Sequence, residues 1–488
     1  MFSLSNLEAS VPSARVLGRF TTDFVRASID SRTIGPGDLF FAIRAQNDGH
    51  AFVSDAIRGG AAGVVVSDPS SVAHCDGVTV VLVPDTLSAL QEAATGLRRI
   101  RDLRVIGITG SAGKTTTKDM VAHTLRQKLT VSASERSFNN HYGVPLTILG
   151  TDSNASDLVL EMGANHPGEI AALGRIARPN IGVITNIGYA HIEHFGSLDR
   201  TAAAKSELVE AILPGGTLVL NGVDVRLARA RQMGNAQGLS VLTAGMGPSN
   251  DVRAVDVQWD GQGARGQVAA MGQRVPFRLQ LLGEHFLRAA LLAVAVALRC
   301  GLTLEDAVAA LGSFEVRSGR VRLSVLRDRT MVVDDTYNAS PDAVLAALRA
   351  VTILGKPVRI AVLAEMRELG SFAEECHARV GEEVGKRFTH LVAIGTEGAS
   401  IMARAAMASG MPKGRVAIVS EPLQALDSAR SILSDAPEQT VVLVKGSRFA
   451  HTERVVLGLG GVDVRCPLAT CTKYIPCSEC PQLRGKLS

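Results

Sequence analysis

The chain has 488 residues, of which 20% are charged and 46% belong to the hydrophobic set; that balance excludes a disordered polymer and allows about three domains with cores of their own. The net charge of +4 is small for this length and no lysine/arginine block dominates, so the pattern argues against nucleic acid as a partner. The longest apolar run, Ala289 to Leu298, is too short to span a bilayer, and the N-terminus lacks the charged start and apolar centre of a secretory signal; a cytoplasmic protein is expected.

The first hundred residues read as a small α/β unit. Asp38 to Ile43 is an apolar strand candidate after the turn Gly35-Pro36-Gly37. A helical segment, Phe52 to Arg58, then precedes buried strands at Gly63 to Ser67 and Val78 to Val83. Helical spacing from Leu87 to Ile100 leads to the next apolar run, Leu103 to Ile108.

That run opens the most informative stretch, Gly107-Ile108-Thr109-Gly110-Ser111-Ala112-Gly113-Lys114-Thr115-Thr116, which continues into helical spacing from Thr115 to Lys128. A strand, a glycine-rich turn and a helix N-terminus make an anion site, because unpaired backbone N–H groups point at the turn. Gly110, Ser111, Gly113, Lys114, Thr115 and Thr116 are therefore candidate ATP-phosphate residues, with Lys114 as the cation and the Thr115 hydroxyl suited to Mg²⁺. A strict P-loop would carry its first glycine where Ile108 stands; here the glycines are Gly107 and Gly110.

Strand and helix patterns then alternate, which favours a parallel sheet covered on both faces. Asp157 to Gly163 and Asn180 to Asn186 are apolar strands, the first carrying Glu161 near its end. Ligands of such sheets sit beyond the carboxyl ends of the strands, so Glu161 and the residues after Asn186 should face the phosphates. Residues 215 to 282 look strand-rich with a turn at Gly261-Gln262-Gly263, and Gly283 to Arg299 reads as a long buried helix. From about Arg320 the strand candidates are Met331–Asp334, Val358–Leu363, Leu391–Ile394, Val416–Val419 and Val441–Val444, a second doubly wound pattern without a G-x-G-x-x-G turn.

Read together, the motifs resemble the Mur ligases, the ATP-dependent amide-forming enzymes of peptidoglycan synthesis. The resemblance covers about residues 25 to 457 and rests on Asp30-Ser31-Arg32, Gly37 to Ala42, Asp48-Gly49-His50, the P-loop, Phe138 to Pro145, Glu161 to His166, Ala190 to Glu193, Phe195-Gly196-Ser197, Lys205-Ser206-Glu207, Asp334 to Ala339 and Val444 to Arg448. Within the family the chain looks most like the enzymes that add D-alanyl-D-alanine to a UDP-N-acetylmuramoyl-tripeptide. The implied fold is α/β in three domains: a small N-terminal α/β UDP-binding domain at 1–100, a central P-loop ATPase-type parallel-sheet domain at 101–317, and a C-terminal Rossmann-like domain at 318–460. The implied protein is a monomer acting on small molecules, with ATP and Mg²⁺ as cofactors.

The resemblance also implies roles. Thr115, Glu161, His191 and a carbamoylated Lys205 would ligate magnesium, and Lys114, His191 and Lys205 would be catalytic. Without the resemblance, His191 reads as an ordinary polar residue and Lys205 as a solvated helix residue near Glu207 and Glu210. Arg320 is placed near phosphate, and Asp335 could accept from ribose hydroxyls or form a loop turn. Lys445 and Arg448 could bind the dipeptide carboxylate or the nucleotide, or be surface loop residues. Ser31, Arg32 and His50 match the region holding the UDP end, and Asn139 and Asn140 the region contacting the muramoyl peptide.

Two stretches depart from the family pattern. Gly283-Glu284-His285 is followed by Phe286, with Ala289 further on, where relatives place adenine-site asparagines, and Ala364-Glu365 stands where Gly-Asp is usual. A different amino-acid ligase of the superfamily, or an ATP-binding regulator without catalysis, are the rival readings. The seven cysteines divide into scattered Cys75, Cys300 and Cys376, read as reduced thiols, and a cluster in the tail, 461–488. There Cys466, Cys471, Cys477 and Cys480 could hold Zn²⁺ or an iron–sulfur centre, although only Cys477 and Cys480 form a close pair; reduced or oxidised thiols are the alternative.

Overall fold

The computed structural model describes residues 2–72, 77–135, 138–433, 439–466, 471 and 476–484; Cys75 lies outside them. Sheets of five, nine and six strands follow one another along the chain. The first contains β1 (Arg15–Gly18), β2 (Ala27–Ser28), β3 (Leu39–Phe41), β4 (Gly63–Val66) and β5 (Thr79–Leu82), in the order β1-β5-β4-β3-β2, and is parallel except at β1. Strands β3 and β4 are buried at every residue, as expected of parallel strands covered on both faces. Helix α1 (Thr86–Ile100) starts at Asp85, whose carboxylate accepts from Ser88 N–H at 2.6 Å. Its apolar stripe of Leu90, Ala94 and Leu97 joins a core that continues into the second sheet through Val105 and Leu158.

The second sheet comprises β6 (Arg104–Thr109), β7 (Val131–Ala133), β8 (Asp157–Glu161), β9 (Ile181–Ile184), β10 (Thr217–Asn221), β11 (Ser240–Gly245), β12 (Val252–Asp260), β13 (Gly263–Ala270) and β14 (Gln273–Leu279). The order is β14-β13-β12-β11-β10-β9-β6-β8-β7, parallel from β7 to β12 and antiparallel across β12, β13 and β14. The glycine turn at residues 261–263 joins β12 to β13. Helix α2 (Lys114–Leu125) follows β6, while α3 (Ile192–Phe195) and α4 (Leu198–Ala211) follow β9. Helix α5 (Glu284–Arg299) is apolar nearly all round because it packs between α2 and the sheet.

The third sheet holds β15 (Arg322–Val325), β16 (Met331–Asp335), β17 (Val358–Ala364), β18 (His390–Ile394), β19 (Val416–Val419) and β20 (Thr440–Lys445), in the order β15-β16-β20-β17-β18-β19. Only β15 is antiparallel to its neighbour. Helices α6 (Pro341–Thr352) and α7 (Glu453–Leu459) flank it. Helices that the sequence reading did not give include Leu4–Ser10 at the N-terminus, Ala228–Ala236 inside the stretch expected to be strand-rich, and Leu304–Leu311. Among the described residues no helix is long and apolar enough to cross a membrane.

Candidate active site

Strand β6 is buried along nearly its whole length and delivers the chain to the loop before α2. Gly110 adopts φ 141° and Gly113 φ 77°, the second as the N-cap of α2. A Cβ on Gly110 would lie 2.0 Å from Thr185 Oγ1, so only glycine lets the loop pass the end of β9. Residues just after β9 hold the loop from behind. The Asn186 backbone carbonyl accepts from Ser111 N–H at 3.0 Å and its side-chain oxygen from Ala112 N–H at 2.9 Å. Gly188 N–H donates to Ser111 Oγ at 2.8 Å. Lys114 Nζ donates to Gly110 O at 2.8 Å, and Thr116 opens on the same cavity. Burial, with Arg320 nearby, holds the Lys114 ammonium below the usual lysine range against the opposing pull of Glu161.

Parallel register sets Glu161, the last residue of β8, beside Ile108 of β6, at the mouth of the loop. Its Oε1 accepts from Asn139 Nδ2 at 2.7 Å; its Oε2 is buried with no hydrogen-bond partner among the described residues. A buried carboxylate oxygen left unpaired is costly, and close to a threonine hydroxyl and a phosphate loop it suits a hard divalent cation. The residues present therefore fit Mg²⁺.

His191 sits at φ 58° as the N-cap of α3, and its Nδ1 contacts the Glu368 carboxylate from the third domain. Burial lowers its pKa, Lys114 and Lys205 adding to the effect, while Glu368 opposes it. Glu368 is a site residue that sequence reading missed; its partner lies on another domain, beyond the reach of local spacing.

Lys205, on α4, is 1% exposed rather than solvated. Its Nζ donates to Ala164 O at 2.9 Å and stands 4.9 Å from the Phe195 ring centroid. Glu207, the expected surface partner, instead accepts from the backbone N–H groups of Gly168 and Ala171 at 2.7 and 3.0 Å. Burial, reinforced by the Lys114 charge, pushes the Lys205 pKa down to about 7.

The third domain supplies the opposite wall. Arg320 donates to Thr115 Oγ1 at 3.1 Å and lies 4.2 Å from the Tyr337 ring centroid, with Arg448 5.4 Å from the same ring. Tyr337 is thus stacked by two arginines, a role its sequence position did not reveal. Asp335 and Lys445 are direct register neighbours on β16 and β20, and they form a buried ion pair of 2.5 Å, with Lys445 also donating to Asn338 O at 2.7 Å. The structure thus gives each the other as a partner, and Lys445 is a buried strand residue rather than part of a surface loop. His285 borders the same cavity, its pKa pushed down to about 3 by burial beside Lys445 and Arg288, and its ring packs 4.3 Å from that of Phe286.

Two cavities meet here. The smaller, about 500 Å³, lies over the phosphate loop and is walled by Glu161, Arg320, Asp335 and Lys445. The larger, about 1080 Å³, runs past Ala164 and Asn140 toward α1 and the end of the N-terminal helix at Ala9 and Ser10. Lys114, Asn139 and His191 line both. Asn140 also caps a turn, its Oδ1 accepting from Tyr142 and Gly143 N–H at 3.2 and 3.0 Å. Ser31, Arg32 and His50 border neither cavity. Arg32 is exposed and paired with Asp30 at 2.7 Å, and both ring nitrogens of His50 are engaged, Nδ1 with Asp48 at 2.6 Å and Nε2 with Ser67 N–H at 2.9 Å. In the tail, no three of the four thiols come within 4.8 Å of one another, so a four-cysteine centre is not assembled.

Comparison with known proteins accords with this layout. Residues 24–105 match the model of the Mur ligase family catalytic domain, 108–297 the Mur ligase middle domain, and 319–448 the Mur ligase glutamate ligase domain. The chain is 34% identical, over 88% of its length and 92% of the relative's, to the UDP-N-acetylmuramoyl-tripeptide--D-alanyl-D-alanine ligase of Bacillus subtilis. The crystal structure of MurF from Acinetobacter baumannii superposes with a TM-score of 0.84 at 29% identity, covering 94% of this chain and 99% of that one. MurF of Thermotoga maritima in complex with ADP gives a TM-score of 0.77 at 27% identity over 89% and 97% of the two chains.

Proposed function

The chain belongs to the Mur ligase family, and from that premise we infer how its own residues carry out the reaction. It is an ATP-dependent ligase that adds D-alanyl-D-alanine to UDP-N-acetylmuramoyl-tripeptide in peptidoglycan synthesis. A carboxylate cannot expel oxide, so the γ-phosphoryl group of ATP first passes to the tripeptide carboxylate with release of ADP. The dipeptide amine then attacks the acyl phosphate carbon, phosphate departs, and the amine loses a proton as the amide forms.

The observation that carries the residue-level reading is the junction of the two cavities, where Lys114, the unpaired Oε2 of Glu161 and His191 converge. ATP belongs in the smaller cavity with its phosphates on Gly110 to Thr116, and Arg320 supplies a second cation. The tripeptide belongs in the larger cavity beside Asn139 and Asn140. Thr115, Glu161, His191 and carbamoylated Lys205 would hold Mg²⁺, which when bound neutralises the charge between phosphate and carboxylate. Glu368 on Nδ1 leaves Nε2 of His191 as the ligand atom, and the depressed pKa keeps that ring neutral. Carbamoylation needs a neutral amine: Lys205 Nζ attacks CO₂, a proton leaves to solvent, and the side chain becomes an anion. The pKa of about 7 makes that amine available near neutrality.

The domain limits 1–100, 101–317 and 318–460, a monomeric state and a cytoplasmic location complete the proposal. Purified protein with ATP, Mg²⁺ and the tripeptide substrate should release phosphate only when D-alanyl-D-alanine is added. Lys114→Ala should lower that rate by at least about 10²-fold. Phosphate release indifferent to the dipeptide, or a fully active Lys114→Ala, would count against the assignment.

A further inference from the structure

The described residues of the tail line neither cavity, yet they fold back onto the element that follows β20. The short turn Cys477–Glu479 packs against α7, and Arg465 N–H donates to Leu483 O at 2.9 Å, closing the tail on itself. Cys477 N–H donates to Glu453 Oε1 at 2.6 Å, and Cys477 Sγ lies 3.6 Å from His451 Nδ1. His451, Glu453 and Cys477 each offer a ligand atom, and these lie within 4.8 Å of one another. His451 and Cys477 are only 5% and 6% exposed. His451 reaches this position through a left-handed backbone, φ 48°, at the end of the turn Arg448–Ala450.

We propose that His451, Glu453 and Cys477 form a binding site for a borderline divalent cation of the zinc type, which pins the tail to the third domain. Zinc–ligand bonds of about 2.0–2.3 Å at tetrahedral angles place neighbouring ligand atoms roughly 3.5 Å apart, and the observed sulfur–nitrogen distance already matches such an edge. A thiolate with nitrogen and oxygen selects zinc over magnesium or calcium, which prefer oxygen and do not favour sulfur. Charge supports the same choice. The half-buried Glu453 carboxylate and a Cys477 thiolate together balance a dication, with the buried Arg454 guanidinium alongside. On binding, the Cys477 thiol gives its proton to solvent and its sulfur lone pair to the metal, leaving one tetrahedral position for water. The metal would thereby brace the segment from Lys445 to His451, which carries Arg448 toward Tyr337.

Full-length protein, reduced and stripped of metal, is titrated with Co²⁺ and then with Zn²⁺. A single tight site with a thiolate-to-cobalt charge-transfer band, erased by Zn²⁺, is expected. Cys477→Ser and His451→Gln should lose the band, while Cys480→Ser keeps it. Metal-free Cys477→Ser should melt with metal-free parent, which separates lost binding from lost folding; if it does not fold, His451→Gln decides by the same band. Absence of the band in the parent, or its survival in a folded Cys477→Ser or His451→Gln, overturns the site.

Discussion

Lys205 shows how one side chain's surroundings can reverse its sequence reading. Spacing on α4 puts Glu207 two positions away, which is not the same helix face, and that carboxylate caps the segment around Gly168 instead. Buried without a carboxylate partner in hydrogen-bond range, the lysine loses the solvation that normally keeps it charged. The sign follows directly: above about pH 7 the amine is mostly neutral and reacts with CO₂, and below it protonation suppresses the carbamate. Metal-free enzyme equilibrated with ¹³C-labelled bicarbonate should show a carbamate carbon resonance at about pH 8 that weakens toward about pH 6. Lys205→Arg should lack it, and equal intensity at both pH values would contradict the role given to this residue. The paired carboxylate and ammonium of Asp335 and Lys445 were legible as charges but not as partners, because only the strand register brings them together.

Elements were easier to read than side-chain partners. Strands of the parallel sheets appear in the sequence as unbroken apolar runs, and β4, β8 and β20 fall within a residue or two of the stretches expected. Two of the missed helices show the limit. Leu4–Ser10 is too short for a period to repeat, and Ala228–Ala236 buries only Ala230 and Gly234, so it has no apolar stripe to detect. The phosphate loop was legible because its glycines have distinct mechanical duties. Gly110 has both a positive φ and Thr185 in the way, whereas nothing lies within 4 Å of a Cβ on Gly113. Gly110→Ala should therefore destabilise the protein by about 1–3 kcal/mol and abolish ATP binding, while Gly113→Asn, which tolerates the left-handed region, should cost less. Denaturant melts and nucleotide titrations of the two variants test the order; Gly113→Asn proving the more damaging would refute it.

At the scale of the molecule, the second and third domains share apolar packing, with Tyr189 and Phe372 ring centroids 6.0 Å apart, and polar contacts around the smaller cavity. Tyr189 N–H donates to Asp342 Oδ2 at 2.9 Å, Arg320 donates to Thr115 Oγ1 at 3.1 Å, and His191 meets Glu368. Interfaces between domains of one chain commonly permit relative motion of the domains. Asp342→Ala removes one of these contacts from the first turn of α6 and should enlarge the radius of gyration of the ligand-free protein in small-angle scattering. ATP and the tripeptide substrate together should restore the compact value; identical scattering from parent and variant would show that this contact does not hold the domains. Lys114, Asn139 and His191, the three side chains shared by both cavities, form a doorway with a chamber on each side. A phosphoryl group leaving the smaller chamber meets whatever fills the larger one. On the placement proposed above, an empty chamber would leave water as the acceptor and waste ATP, whereas a seated tripeptide would plug the doorway with its carboxylate. Fidelity of coupling is then a matter of occupancy, set by filling order rather than by any extra catalytic group.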